Sequence, residues 1–88
     1  IESTCDISTD GCVPHRVEAD SVPAGNLELI RRVKYYERTV ARGIVNRSKR
    51  DIVESLAMHP LVNSYSLAKD IAAQYFELNR DYIDGWTD

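Results

Sequence analysis

Between Leu29 and Ile44 an apolar residue returns every three or four positions: Leu29, Ile30, Val33, Tyr36, Val40 and Ile44. At 100° per residue these share one side of a helix, while Arg31, Lys34, Arg38 and Arg42 share the other. The pattern predicts one long helix over 24–45, starting at Pro23 or Ala24. An apolar stripe of about 23 Å is unfavourable in water, so other elements must lie against it. The chain has 88 residues, enough for one modest core with little stability to spare.

The remaining elements follow from caps and breakers. Ser48 is a good N-cap, with Asp51 at the capping-box position, for a helix over 48–58. Its expected buried face is Ile52, Val53 and Leu56, and Pro60 ends it, because His59 before a proline is pushed out of helical geometry. A third helix is expected over 66–83, capped by Ser66, with Leu67, Ile71, Tyr75, Leu78 and Tyr82 as a narrow stripe and Gly85 as the stop. At the other end, Ser8-Thr9-Asp10-Gly11 has the chemistry of a type I turn followed by a left-handed glycine, which predicts a hairpin within 1–17. Residues 18–26 are polar and broken by Pro23 and Gly25, a connector. The predicted fold is α+β, mainly α: one unit over 1–88, with a short N-terminal β-hairpin followed by three helices and no internal repeat.

Charge is unevenly spread. Of eleven Lys and Arg, eight fall in residues 31–50 (Arg31, Arg32, Lys34, Arg38, Arg42, Arg47, Lys49, Arg50), against the single acid Glu37, and the segment from Asp51 onward is acidic. Such a face can bind an anionic partner, a nucleic acid or a phosphoryl ligand. The competing reading is a solvated face that pairs with acids. It is preferred, because no aromatic interleaving or groove-reading motif accompanies the basic residues, and nucleic acid is not expected as a partner. No apolar run approaches the roughly 20 residues of a membrane span. Two cysteines are too few for a disulfide scaffold, and no signal peptide is visible, so a reducing cytoplasm is the expected location. Ile1 in place of methionine, in a stretch that already reads as a strand, leads us to expect a piece of a larger protein.

Residues 4–15, TCDISTDGCVPH, concentrate potential ligands. Asp6, Ser8, Asp10 and Gly11 stand where a calcium-binding EF-hand loop has its first ligands and its glycine. Val17 occupies the place of the bidentate glutamate, and Pro14 interrupts the loop, so calcium would lack its main carboxylate. Cys5, Cys12 and His15 supply three zinc-type donors where a structural site wants four, and His59 is too distant in sequence to count as paired. If Thr9 and Asp10 form the hairpin tip, Cys5 faces Pro14 and Ile7 faces Cys12. The thiols are then two pairs out of step, a poor match to the roughly 5.5–6 Å Cα separation of a disulfide, and free thiols are expected. His59 could be a general base, but no nucleophile or orienting carboxylate is near it in sequence; its expected role is to bond the last carbonyls of the helix before it. No glycine-rich phosphate loop, C-x-x-C or nucleophile elbow is present. No catalytic, cofactor-binding or metal-binding residue is assigned.

The order of features resembles the C-terminal end of glycoside hydrolase family 4, and within it the 6-phospho-β-glucosidase type. The pieces that carry the likeness are Val33-Lys34-Tyr35-Tyr36-Glu37-Arg38-Thr39-Val40, His59-Pro60-Leu61-Val62-Asn63-Ser64, Ala68-Lys69-Asp70 and Asn79-Arg80-Asp81-Tyr82. Ile1-Glu2, Gly11, Pro14 and Val22-Pro23 also match the way family members enter this region, so the resemblance runs over residues 1–83. Ala41-Arg42-Gly43 and the turn Asn46-Arg47-Ser48-Lys49-Arg50-Asp51 depart from the usual pattern.

The resemblance implies an enzyme that uses NAD and a divalent metal, commonly manganese. Such enzymes oxidise the sugar at C3, remove the C2 proton, eliminate the aglycone, then add water and reduce the ring, outside the usual two-carboxylate scheme. The residues for this chemistry lie upstream of the matched region in the family, so none is transferred here. The implied role is structural: an inactive C-terminal piece that packs on the rest of its parent enzyme and in subunit contacts of a homo-oligomer, the parent acting on a phosphorylated or plain glycoside.

Overall fold

The computed structural model describes residues 2–88. Two strands, β1 (Cys5–Ser8) and β2 (Gly11–Pro14), precede three helices, α1 (Ala24–Asn46), α2 (Lys49–Met58) and α3 (Tyr65–Leu78). This is the expected hairpin and three helices. The part of the hairpin expected at Ile1 lies outside the described residues, and the first strand begins at Cys5.

The antiparallel register is the one read from the turn, with Cys5 opposite Pro14 and Ile7 opposite Cys12. Gly11 sits at φ +108°, a backbone conformation that favours glycine. The Ser8 hydroxyl accepts from the Asp10 amide at 3.1 Å, closing the tip.

Each helix boundary has a local cause. Arg47 adopts the left-handed conformation at φ 51° and turns its amide back to Gly43 and Ile44, which stops α1. Ser48 Oγ then accepts from the Asp51 amide and starts α2, as expected. The third helix departs from expectation at both ends. Its cap is Ser64, whose hydroxyl accepts from the Leu67 amide, not Ser66. Asn63, at φ 44°, sharpens the turn after Pro60 and delivers Ser64 in extended geometry. The helix ends at Leu78 rather than near 83, because the Asn79 side chain donates to the Tyr75 carbonyl and a turn follows, Tyr82 donating to Asn79.

Arg32 anchors the α2–α3 connection. Its Nε donates to the Met58 carbonyl at 2.7 Å, and its terminal nitrogen donates to the Asn63 side chain. It thus satisfies an orphan carbonyl at the end of α2, the role expected of His59. The His59 ring instead accepts from the Leu61 amide through Nδ1 at 3.1 Å, while its edge meets Tyr36 at 4.6 Å between centroids. Replacing Arg32 by alanine should cost about 1–2 kcal/mol, read as a lower urea midpoint, with Arg32→Lys recovering only part because lysine cannot fork to both acceptors.

α2 is the middle helix, packed on α1 to one side and α3 to the other. The residues that become fully buried are small: Thr39, Gly43, Ser55, Ala68 and Ala72. Small residues at the crossings let the helix axes approach closely. Ser55 donates its hydroxyl to the Ile52 carbonyl at 2.7 Å, so its burial leaves no polar atom unpaired. The expected inner face of α2 is only half right. Ile52, Val53 and Leu56 are half-buried, and Ser55 between them is the buried one.

The C-terminal tail closes this layer at one end. Thr87 donates to the Arg47 carbonyl at 2.9 Å and accepts from the Lys49 amide at 2.8 Å, while Trp86 lies against Phe76, 5.0 Å between ring centroids. The result is open rather than compact. The radius of gyration is 17.0 Å, against about 12 Å for a compact chain of this length. The accessible surface is 7093 Å², against about 5,200 Å² expected from the mass.

Candidate functional site

An apolar groove runs along the layer where all three helices meet. Tyr36, Val40 and Ile44 of α1 form one wall, Ile71, Tyr75 and Phe76 of α3 the other, and Ile52 and Leu56 of α2 the floor, with Ile83 and Trp86 at the end. Its volume is about 450 Å³. The lining is hydrocarbon and aromatic ring apart from two tyrosine hydroxyls and Ser55, whose hydroxyl is already bonded. Such a surface excludes water and holds an apolar partner. It brings together no acid, base or nucleophile.

The groove continues onto the outside of α3. Leu67, Ile71, Tyr75, Leu78 and Tyr82, the expected narrow apolar stripe, are exposed by 44, 37, 59, 81 and 88%. The side of α3 that is covered carries Ala68 and Ala72 instead, with Phe76 half-buried. α2 selects the small residues because they allow close approach, which leaves the larger ones in solvent. Sequence reading also missed Phe76, Ile83 and Trp86 as groove residues. The available signals were the i, i+4 spacing of Ala68, Ala72 and Phe76 and an aromatic after Gly85.

The basic segment is largely used within the chain. Arg42 makes a two-pronged bond to Asp51, at 2.9 and 3.1 Å, with Glu54 3.9 Å away. Arg31 pairs with Glu28 and Lys34 with Glu37, each one helical turn apart. Arg47 and Lys49 lie 3.8 Å from Asp84 and Asp88, and Arg32 is committed to the α2 end. Arg38 and Arg50 have no ion pair among the described residues. Tyr35 donates to Glu54 at 2.6 Å, and that bond and the carboxylate's charge hold its hydroxyl above the usual phenol range.

The Arg42 bond holds the Asp51 carboxyl below the usual carboxylate range, against a smaller opposing push from burial. A carboxylate depressed on folding stabilises the fold above its unfolded pKa, and that contribution disappears as pH falls through the folded value. Unfolding followed by circular dichroism should therefore show stability falling below about pH 4. Asp51→Asn should be less stable at neutral pH, with a shallower acid limb.

The hairpin does not assemble a metal centre. Cys5 and Cys12 are free thiols, two pairs out of step. Alternation puts them on the opposite face of the ribbon from His15, which instead pairs with Asp6 at 3.0 Å. The Ser8 hydroxyl is occupied in the turn. Among the described residues no group of three or more His, Cys, Asp and Glu is placed to hold a metal ion. Nor does the start of α1 fit a dinucleotide. It follows a 3-10 turn, Ala19–Ser21, and Pro23, not a strand and a glycine-rich turn. Among the described residues the donors of the hairpin do not fit a metal, nor the start of α1 a dinucleotide. No helix of the described residues is long and apolar enough to cross a membrane.

Comparison with known proteins places this open layer. The chain is 37% identical over 57 residues to the 6-phospho-beta-glucosidase BglT of Thermotoga maritima. That stretch is 65% of this chain but 14% of the relative, so the chain spans a small part of that protein's length. No solved structure matches the chain. A family description, "Family 4 glycosyl hydrolase C-terminal domain", matches residues 1–62, from the hairpin through α2 to Val62, and stops short of α3 and the tail. With most of its length inside that match, the chain belongs to the C-terminal domain family of the family 4 glycosyl hydrolases.

Proposed function

We propose that this chain is the C-terminal part of a family 4 glycosidase of the 6-phospho-β-glucosidase type, that it is inactive alone, and that its work is to pack. The observation that carries the reading is the open apolar groove and the exposed stripe of α3 beside it. An apolar surface continuous across three helices is a buried surface in its working state. The parent enzyme, by this reading a soluble cytoplasmic homo-oligomer, would take NAD and a divalent metal such as manganese on residues outside these 88, and act on a phosphorylated glycoside. The internal pairing of the basic segment supports the solvated reading of that face over an anion-binding one.

Two measurements test this. The polypeptide that contains the chain should cleave a 6-phospho-β-glucoside and lose that activity on chelation or removal of NAD, while the 88 residues alone should show none. The isolated chain should self-associate at micromolar concentration, and Ile71→Glu with Tyr75→Glu should render it monomeric at unchanged helicity. Tight RNA or DNA binding by the chain at physiological salt, falling steeply as salt rises, would overturn the reading in favour of the basic face.

A further inference from the structure

The hairpin stands on its own. From Asp6 to Glu18 every residue is exposed, and a two-stranded ribbon four residues long is at best marginal in water. Its two edges differ in what they offer. His15 donates to the Thr4 carbonyl at 2.8 Å, so Thr4 and His15 form a hydrogen-bonded pair. Antiparallel pairs alternate, so Asp6 with Val13 and Ser8 with Gly11 are also hydrogen-bonded pairs. Cys5 and Ile7 therefore turn their amides and carbonyls outward from β1, and Cys12 and Pro14 turn theirs outward from β2. Pro14 has no amide, so the outer edge of β2 lacks a donor at one of its two outward positions. The outer edge of β1 has both donors and both acceptors, with no partner for them among the described residues. The same alternation puts Cys5, Ile7, Cys12 and Pro14 on one apolar face, with Ile7 83% exposed, and Asp6, Ser8 and His15 on the other, mainly polar one, which also carries Val13.

We infer that the outer edge of β1, through the amides and carbonyls of Cys5 and Ile7, adds to a strand elsewhere in the parent enzyme, making the hairpin the terminal ribbon of a larger sheet whose apolar side lies over Cys5, Ile7, Cys12 and Pro14. This rests on the proposal that the chain is part of a larger glycosidase. A second copy is a poorer occupant. In the fullest antiparallel overlap of two β1 edges, Cys5 faces Ile7 of the other copy and Asp6 faces Asp6, and like charges directly opposite are destabilising. β2 remains the outer rim, closed to further pairing by Pro14.

Amide-resolved hydrogen exchange on the full polypeptide and on the 88 residues alone tests this. The Cys5 and Ile7 amides should exchange rapidly in the isolated chain and about a hundredfold more slowly in the full polypeptide, with Cys12 fast in both. An Ile7→Pro variant of the full polypeptide should lose the Cys5 protection, and Cys12→Pro should keep it. If Cys5 and Ile7 stay as fast as Cys12 in a full polypeptide that cleaves its phosphoglycoside, the edge inference falls and the functional reading stands. If they are protected in a polypeptide without that activity, the reverse holds. Protection of Cys5 and Ile7 in the isolated chain that rises with its concentration would overturn the choice of partner in favour of a second copy.

Discussion

Trp86→Ala is expected to lower the stability of this chain by about 2–3 kcal/mol, among the largest effects of any single truncation in it. The indole packs edge-on to Phe76 at 5.0 Å and ends the groove beside Ile52 and Ile83. Its neighbour Thr87 ties the tail to the α1–α2 junction through two backbone bonds. Few large side chains are well covered here, since the fully buried set is small residues, so one ring carries an unusual share of the apolar contact. Without it Phe76 loses the nearer of its two ring partners and the tail is held mainly by the Thr87 backbone bonds. Urea unfolding followed by far-UV circular dichroism should show a lower midpoint at a similar slope. Trp86→Phe should recover most of the loss, whereas an alanine variant within 0.5 kcal/mol of the parent, roughly the reach of a surface change, would show the tail to be ornamental.

Substitution at Gly43 is the second large effect, and it separates two opposed contributions. Replacing a mid-helix glycine by alanine gains roughly 0.5–1 kcal/mol of helix propensity. At this position the new Cβ would lie 2.9 Å from Ile52 Cδ1 and 3.1 Å from Asp51 Cβ. The isoleucine tip can rotate aside, but Asp51 Cβ is fixed to the α2 backbone, and the Asp51 carboxylate is held by Arg42. Overpacking of this kind costs about 1–3 kcal/mol. Gly43→Ala should therefore end close to neutral or slightly destabilised, and Gly43→Val lower by about 2–3 kcal/mol. Thermal unfolding of the two variants side by side decides it. A valine variant as stable as the glycine would mean that α1 and α2 do not approach as described.

Local chemistry was legible wherever neighbours in sequence decide the outcome. Ser8-Thr9-Asp10-Gly11 predicted the turn, and the turn alone set a register that keeps Cys5 and Cys12 apart. Ser48 and Asp51 predicted the start of α2. Ser64 against Ser66 was not decidable by spacing, because both are serines before an apolar run. The left-handed Asn63, held by Arg32 from 31 residues away, settles which hydroxyl reaches the amides. Arg32 takes the role expected of His59 for a similar reason. The carbonyl at the end of α2 takes whichever donor the fold brings to it, and α1 brings a guanidinium.

What the sequence by itself determined is the inventory: one hairpin, three helices, and a likeness to family 4 carried by residues in the first helix, the turn between the second and third, and the third helix with the turn after it. What only the tertiary structure decided is which faces are used. On α3 an apolar arc spans both Ala68 with Ala72 and Leu67 with Ile71 and Tyr75, and periodicity cannot say which half meets α2. Close packing chooses the alanines, since two helices gain more contact by approaching over small side chains than by standing apart over large ones. The large residues are left outside, where they form the surface on which the proposed function depends.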